Sequence, residues 1–325
     1  MRNALLFFVS ALLLFVGGSA WIVLYPNVPA DLGGVENMDR QAHHISIPVG
    51  QGDRLDGWYL KGVQPATVIL FPGYARDHRR EWRYAQFLHR EGFGVLAVDF
   101  RSTRSHDRKP TTLGYWELRD ARAVLDWVHK LPQMRGQRVA LFGESLGGST
   151  ALALAAERPD VNAVVADCPF ASGDAAIADG LRYVLHLPPS PLEAIARALG
   201  KLVTGHDPGE LDATQALRAL NGRPVLLIQT RMEDRYSRDQ VERLTTAAGL
   251  EAETWTVDDS RHTEVWVAHR EEYERRVARF LGLRLGVPIA SAAKPSARPA
   301  KGASVGVKAG GRTAAKPPKK PPGGP

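Results

Sequence analysis

Ser145 stands in Gly143-Glu144-Ser145-Leu146-Gly147, between the apolar run Val139-Ala140-Leu141-Phe142 and the alanine-rich run that starts at Ser149. This is a G-x-S-x-G pattern in a strand–turn–helix setting. A serine at so sharp a turn takes a strained backbone, so the residues two before and two after it must be small. The turn lifts the hydroxyl clear of the strand and sets it at the N-terminus of the next helix. There the Leu146 N–H can help bind an oxyanion. Such a hydroxyl needs a base and an acid. His262, in the polar stretch Asp258-Asp259-Ser260-Arg261-His262-Thr263-Glu264, is the expected base. It follows the last predicted strand, whereas His43 and His44 precede the sheet and His89, His129 and His269 fall on predicted helices. The acid is expected just after the strand Pro224-Val225-Leu226-Leu227-Ile228-Gln229, in the order serine, acid, histidine. Asp234, the shorter carboxylate, is taken first and Glu233 is the alternative. Either one would orient the imidazole and stabilise its cation. The second oxyanion donor is expected to be the backbone N–H of Tyr74, in Pro72-Gly73-Tyr74-Ala75.

These residues need elements to hold them. Ile45, Ile47 and Val49 alternate, Gly50-Gln51-Gly52-Asp53 turns, and Leu55 to Leu60 returns as a hairpin. Strands are then predicted at 66–71, 94–99, 138–142, 161–166, 224–229 and 252–257. Helices are predicted at 80–91, 114–130, 146–157, 237–249 and 266–282. That alternation predicts an α/β fold, doubly wound, with a mainly parallel sheet covered by helices on both faces. The stretch 170–222, with Pro188, Pro189 and Pro191, breaks the rhythm and is expected to be a small cap insertion. Its Leu192, Ile195, Leu199 and Leu202 recur at helical spacing, as in a lid over an acyl pocket or in a fixed cap.

The chain has 325 residues, 44% of them hydrophobic, enough for a large core. Its net charge of +7 is local: Gly286 to Pro325 carries eight Lys or Arg and no Asp or Glu, which leaves the rest near neutrality. No basic groove for nucleic acid is implied. Residues 284–325, rich in Pro, Ala, Lys and Gly, are expected to be a disordered basic tail. A plain solvated tail is the favoured reading, with anionic lipid or a cell-wall polymer as the alternative partner through charge. Arg76, His78, Arg79 and Arg80 are expected to form a solvated helix start, with capture of an anionic substrate group as the alternative. The single cysteine, Cys168, excludes an intrachain disulfide and a multi-cysteine metal site, and is expected to be a buried, inert thiol. With no Gly-rich phosphate loop and no metal-spaced cluster, neither cofactor nor metal is expected.

Residues 4–24 are 21 consecutive positions without a charge. About 20 such residues span a bilayer as a helix. A membrane anchor over 1–26 is favoured over a signal peptide cleaved near Gly18-Ser19-Ala20, because the apolar run continues to Tyr25. Arg2 precedes the run, while Asp31, Glu36 and Asp39 follow it. The main domain, 42–283, joined by a linker at 27–41, is therefore expected outside the cytoplasm, tethered to the cell membrane in a single pass.

The chain resembles the α/β-hydrolase superfamily over about residues 42–283, and is similar to bacterial branches that include serine aminopeptidases, monoglyceride lipases and dienelactone hydrolases. The resemblance rests on the Ser145 motif, Leu55-Asp56-Gly57-Trp58-Tyr59-Leu60, Phe71-Pro72-Gly73-Tyr74, Thr112-Leu113-Gly114 with Asp120, Cys168-Pro169-Phe170, Arg223 to Ile228 and His262. It implies a Ser–acid–His triad acting through an acyl-enzyme on a small-molecule ester or acyl substrate. An amidase or aminopeptidase on the same triad, or a non-catalytic binding protein on the same fold, is the alternative. The sequence departs from the superfamily at Pro72-Gly73, where His-Gly is usual, and at Gln229-Thr230, where His-Gly precedes the acid. At the family spacing the acid is Glu233. Arg101-Ser102-Thr103-Arg104 also replaces the usual Arg-Gly-x-Gly turn, so that loop is expected to be stiffer and more basic.

Overall fold

The alternating apolar residues at the start of the domain pair as expected. In the computed structural model, strands β1 (His43–Gly50) and β2 (Asp53–Leu60) run antiparallel, with Ile47 opposite Leu55, both fully buried. The structure describes residues 40–290 apart from 51 and 104–108, together with residues 7, 18, 21–26 and 28. Strands β3 (Ala66–Phe71), β4 (Gly94–Val98), β5 (Arg138–Glu144), β6 (Ala163–Asp167), β7 (Val225–Thr230) and β8 (Glu253–Val257) complete one sheet in the order β1-β2-β4-β3-β5-β6-β7-β8. Only the β1–β2 and β2–β4 pairs are antiparallel. Every residue of β3, β4, β6 and β7 is buried, as continuous Val/Leu/Ile runs require when helices cover both faces.

The helices divide between the two faces. On one lie α1 (His78–Arg90) and, beyond a short turn of helix α8 (Val265–Ala268), α9 (Arg270–Leu285). They bury Phe87, Leu88, Tyr273, Phe280 and Leu281 against the sheet. On the other lie α2 (Tyr115–Lys130), α3 (Leu146–Glu157), α6 (Ala213–Ala219) and α7 (Arg238–Ala248), which bury Leu125, Leu152, Leu217 and Leu244. The expected doubly wound sheet is present.

Two boundaries differ from expectation. The stretch 170–222 is not all cap. It holds α4 (Gly173–Asp179) and α5 (Pro189–Thr204), but α6 belongs to the core, because Ala213, Ala216, Leu217 and Leu220 form a buried stripe at helical spacing. The last predicted helix is broken at His269, whose backbone (φ −129°, ψ 44°) is not helical. The cap's base is pinned. The buried Asp179 carboxylate accepts from the Ser237 N–H and from Gln240 Nε2, each at 2.6 Å, and Arg197 joins Asp174 to Asp207. Ile195 and Leu202, two of the helically spaced residues read as a lid or as a fixed cap, are exposed.

The expected anchor at 4–24 lies almost wholly outside the described residues, as does the tail beyond residue 290. Among the described residues no helix is long and apolar enough to cross a membrane. The end of the apolar run does have a defined place. Leu24 is buried, its carbonyl accepts from the Thr111 N–H at 2.8 Å, and the Val23 carbonyl accepts from the Tyr74 hydroxyl at 2.7 Å.

Candidate active site

The C-terminal edge of the sheet gathers the expected residues. β5 ends at Glu144 and α3 begins at Leu146, so the chain reverses on Ser145 alone, at φ 53°, ψ −114°. The small residues on either side are required by backbone, not by side chains. A Cβ on Gly143 would lie 2.1 Å from the Gly147 carbonyl group, and one on Gly147 would lie 2.1 Å from the Phe71 carbonyl oxygen. Ala75, Cys168 and Thr263 also take positive φ, at 55°, 48° and 57°. These strained positions follow β3, β5, β6 and the histidine, and backbone strain of this kind is held only where surrounding structure enforces it.

Ser145 and His262, 117 residues apart, meet. The Ser145 hydroxyl donates to His262 Nε2 at 3.1 Å, and His262 Nδ1–H donates to Glu233 Oε2 at 3.0 Å. The tautomer follows from these partners, since Nδ1 faces a carboxylate. Asp234, the first-choice acid, is not in this chain of bonds. Its side chain is exposed, and its Oδ1 accepts from the backbone N–H of His262 at 3.3 Å. The carboxylate on the His262 ring is instead that of Glu233, the alternative, whose side chain is only 4% exposed. Two bonds set the loop. Thr230 Oγ1, at the end of β7, donates to the Ser260 carbonyl, and the Met232 N–H donates back to Thr230 Oγ1 at 3.2 Å. The longer glutamate reaches the ring from there, and the next residue turns to solvent.

The predicted oxyanion donors flank the serine. Leu146 is the first residue of α3, where an N–H has no partner within the helix. The Pro72-Gly73-Tyr74 loop lies against the elbow, since a Cβ on Gly73 would be 3.6 Å from Ser145 Cβ. The Tyr74 phenol is pushed up to about 12 by burial.

Beneath the serine lies a buried polar cluster that sequence reasoning missed. Glu144 and Asp167 are paired in register on β5 and β6. Arg83 donates to Glu144 Oε2 at 2.5 Å and to the Thr263 carbonyl at 3.3 Å. The Tyr84 hydroxyl donates to Glu144 at 2.9 Å, and that of Tyr273 to Asp167 at 2.7 Å. Burial, and then the charge of Glu144, pushes Asp167 above the ordinary carboxylate range, and both push the fully buried Glu81 well above it. Nor is the start of α1 a solvated face. His78 is buried and holds Asp99 through Nδ1 at 2.8 Å, and Arg79 pairs with Asp77. The alternation of charge and aromatics in Glu81-Trp82-Arg83-Tyr84 was the available signal.

Cys168 is buried as expected, but not remote. Its Sγ, a Glu233 carboxylate oxygen and a His262 nitrogen lie within 4.8 Å of one another, the one three-donor set among the described residues able to offer ligands to a metal. Burial, then Asp167 and Glu233, holds the thiol well above its ordinary range. Glu233 and His262 are committed to each other and to Ser145. The second missed residue is Tyr236, whose hydroxyl is 3.0 Å from Ser145 Oγ.

Comparison with known proteins agrees with this architecture. YqkD of Bacillus subtilis is 27% identical over 249 residues, which cover 76% of this chain and 80% of that one. Among solved structures, the esterase Pf2001 of Pyrococcus furiosus has a TM-score of 0.65 at 23% identity, over 81% of this chain and 98% of that one. The acylaminoacyl peptidase of Pyrococcus horikoshii has a TM-score of 0.58 at 14% identity, over 78% of this chain and 44% of its own. At these identities the structural likenesses establish the fold. The sequence profile for the alpha/beta hydrolase fold matches residues 66–267. With its serine elbow and sheet order, the chain belongs to the α/β-hydrolase family.

Proposed function

We propose that this protein is a serine hydrolase that cleaves a carboxylic ester through an acyl-enzyme. The observation that carries the proposal is the unbroken chain Ser145–His262–Glu233, built on a strained turn. A binding protein on this fold has no chemical need for it. Ser145 Oγ attacks the acyl carbonyl carbon while its proton passes to His262 Nε2, and Glu233 stabilises the imidazolium. The Leu146 and Tyr74 N–H groups hold the oxyanion. Collapse breaks the bond to the leaving oxygen, which takes the proton from His262. Water, deprotonated by His262, then attacks the acyl-enzyme and releases Ser145. Esterase activity in the structurally similar Pf2001 supports an ester over an amide, the second reading that the acylaminoacyl peptidase leaves open.

The full-length protein in detergent, exposed to a fluorophosphonate probe, is expected to be labelled, and Ser145→Ala is not. Hydrolysis of p-nitrophenyl esters is expected to be lost in Ser145→Ala and His262→Ala. Folded wild type that takes no label overturns the proposal. The same proposal tethers the domain to the cell membrane through the uncharged run 4–24, outside the cytoplasm. Release of the protein from membranes by alkaline carbonate would count against the tether and leave the hydrolase reading intact.

A further inference from the structure

Tyr236 lies in the turn between the acid and helix α7, and three sets of contacts hold its hydroxyl on the nucleophile. Its ring meets the edge of His262 at 4.8 Å and 86°, and that of Phe170 at 6.2 Å and 75°. The next residue, Ser237, is fastened through its N–H to the buried Asp179 carboxylate of the cap. Gln240, in the first turn of α7, binds the same carboxylate and accepts from the Ala171 N–H at 2.7 Å. The phenol is thus fixed from the cap side and from the histidine side. Because the Ser145 proton is directed at His262 Nε2, the bond of 3.0 Å between Tyr236 and Ser145 has the phenol as donor and Oγ as acceptor. Burial holds the phenol above its ordinary range, so it stays a neutral O–H donor at any working pH.

We propose that Tyr236 is a further catalytic residue of the hydrolytic reaction, whose O–H binds the departing alcohol oxygen and so fits the site to unactivated alkyl esters. The inference rests on the serine-hydrolase reading. Its chemistry follows from what happens to Oγ. In the resting enzyme Oγ accepts the Tyr236 bond. When Oγ forms its bond to the acyl carbon, its lone pair is engaged and it becomes a poor acceptor. The phenol hydrogen is then released beside the reacting carbon, on the side of the His262 ring that Tyr236 packs against. The oxygen on that side is the leaving one. As the carbon–oxygen bond breaks, the electron pair goes to this oxygen, His262 Nε2–H delivers the proton, and Tyr236 O–H donates a hydrogen bond without giving up its own proton. In deacylation the attacking water takes the same place. A poor leaving group such as an alkoxide develops the most charge and gains most from this donor, whereas a nitrophenolate spreads its charge into its ring and gains little.

The test compares wild type with Tyr236→Phe on ethyl, trifluoroethyl, phenyl and p-nitrophenyl butyrate, reading kcat/KM, which reports the acylation step. The variant keeps the ring contacts and loses only the hydroxyl. The expected result is a fall of about tenfold or more for ethyl butyrate, the size of one lost transition-state hydrogen bond, and about twofold or less for the p-nitrophenyl ester. A plot of log kcat/KM against leaving-group pKa then steepens in the variant. Fluorophosphonate labelling of Ser145, which expels fluoride and needs no protonated alcohol, stays within about threefold and shows that the elbow is intact. An equal fall across the series means that Tyr236 merely orients the serine, and overturns the proposal, as does no fall at all. Wild type that is folded but takes no probe and cleaves no ester defeats the hydrolase reading itself, a distinguishable outcome.

Discussion

The Arg83 guanidinium donates to the Thr263 carbonyl, joining helix α1 to the residue that follows the histidine. The same group is 2.5 Å from Glu144, the residue before the serine. One cation therefore braces both partners of the Ser145–His262 pair from behind. Arg83→Met is expected to destabilise the protein by about 3–5 kcal/mol, because it leaves Glu144 with its nearest cation removed in a dry setting. Arg83→Met combined with Glu144→Gln should recover at least half of that loss, since the uncompensated charge is gone. Urea unfolding of the four proteins of this cycle checks both. No recovery would mean that Glu144 is not what Arg83 serves.

Glu233→Gln is expected to lower kcat by roughly three to four orders of magnitude, as in other triads that lose their carboxylate. Asp234→Asn should change it by about threefold at most, because among the described residues that side chain accepts from the His262 backbone N–H and is otherwise exposed. Steady-state rates on one ester decide between them, and the reverse ranking would restore Asp234 as the acid.

The burial of Glu81 beside Glu144 sets the sign of a pH dependence. Burial, then Glu144, raises its folded-state pKa well above the ordinary value of 4.5. The folded state therefore binds this proton more tightly than the unfolded chain does. The associated stability is fully present below pH 4.5 and is lost as pH rises towards the folded value. Glu81→Gln fixes the neutral form. It is expected to raise the melting temperature at pH 8 and to leave it nearly unchanged at pH 4. Thermal melts across that range check the sign, and a variant less stable at pH 8 than wild type would reverse it.

Gly147→Ala sets a methyl group against the Phe71 carbonyl, a backbone atom that cannot rotate away. The elbow or β3 must shift, at a cost of about 1–3 kcal/mol. Fluorophosphonate labelling is expected to disappear even where circular dichroism shows a folded protein.

How much of this was legible in the sequence varied with the range of the determining contact. The elbow was plain, because its glycines answer to backbone atoms a few residues away or on the neighbouring strand. His262 followed from the order of strands and helices. The choice between Glu233 and Asp234 did not. It is decided by how Thr230 ties β7 to Ser260, a contact that neither carboxylate's neighbours encode. The core role of α6 was written in the spacing of Ala213, Ala216, Leu217 and Leu220, but the prolines nearby drew the whole stretch into the cap. Tyr236 carried no local mark, since its meaning lies in a serine 91 residues upstream.

Where the domain begins is a question of hydrogen bonds as much as of hydropathy. A shortened protein starting at residue 27 would take Val23 and Leu24 away from the rim of the active site. The Tyr74 hydroxyl and the Thr111 amide would lose their acceptors, and a furrow would open where the leucine lay. The loosened residue would be Tyr74, whose own N–H is assigned to the oxyanion. A cut upstream of Trp21 keeps the turn from Trp21 to Tyr25, and with it the two carbonyls that these groups need.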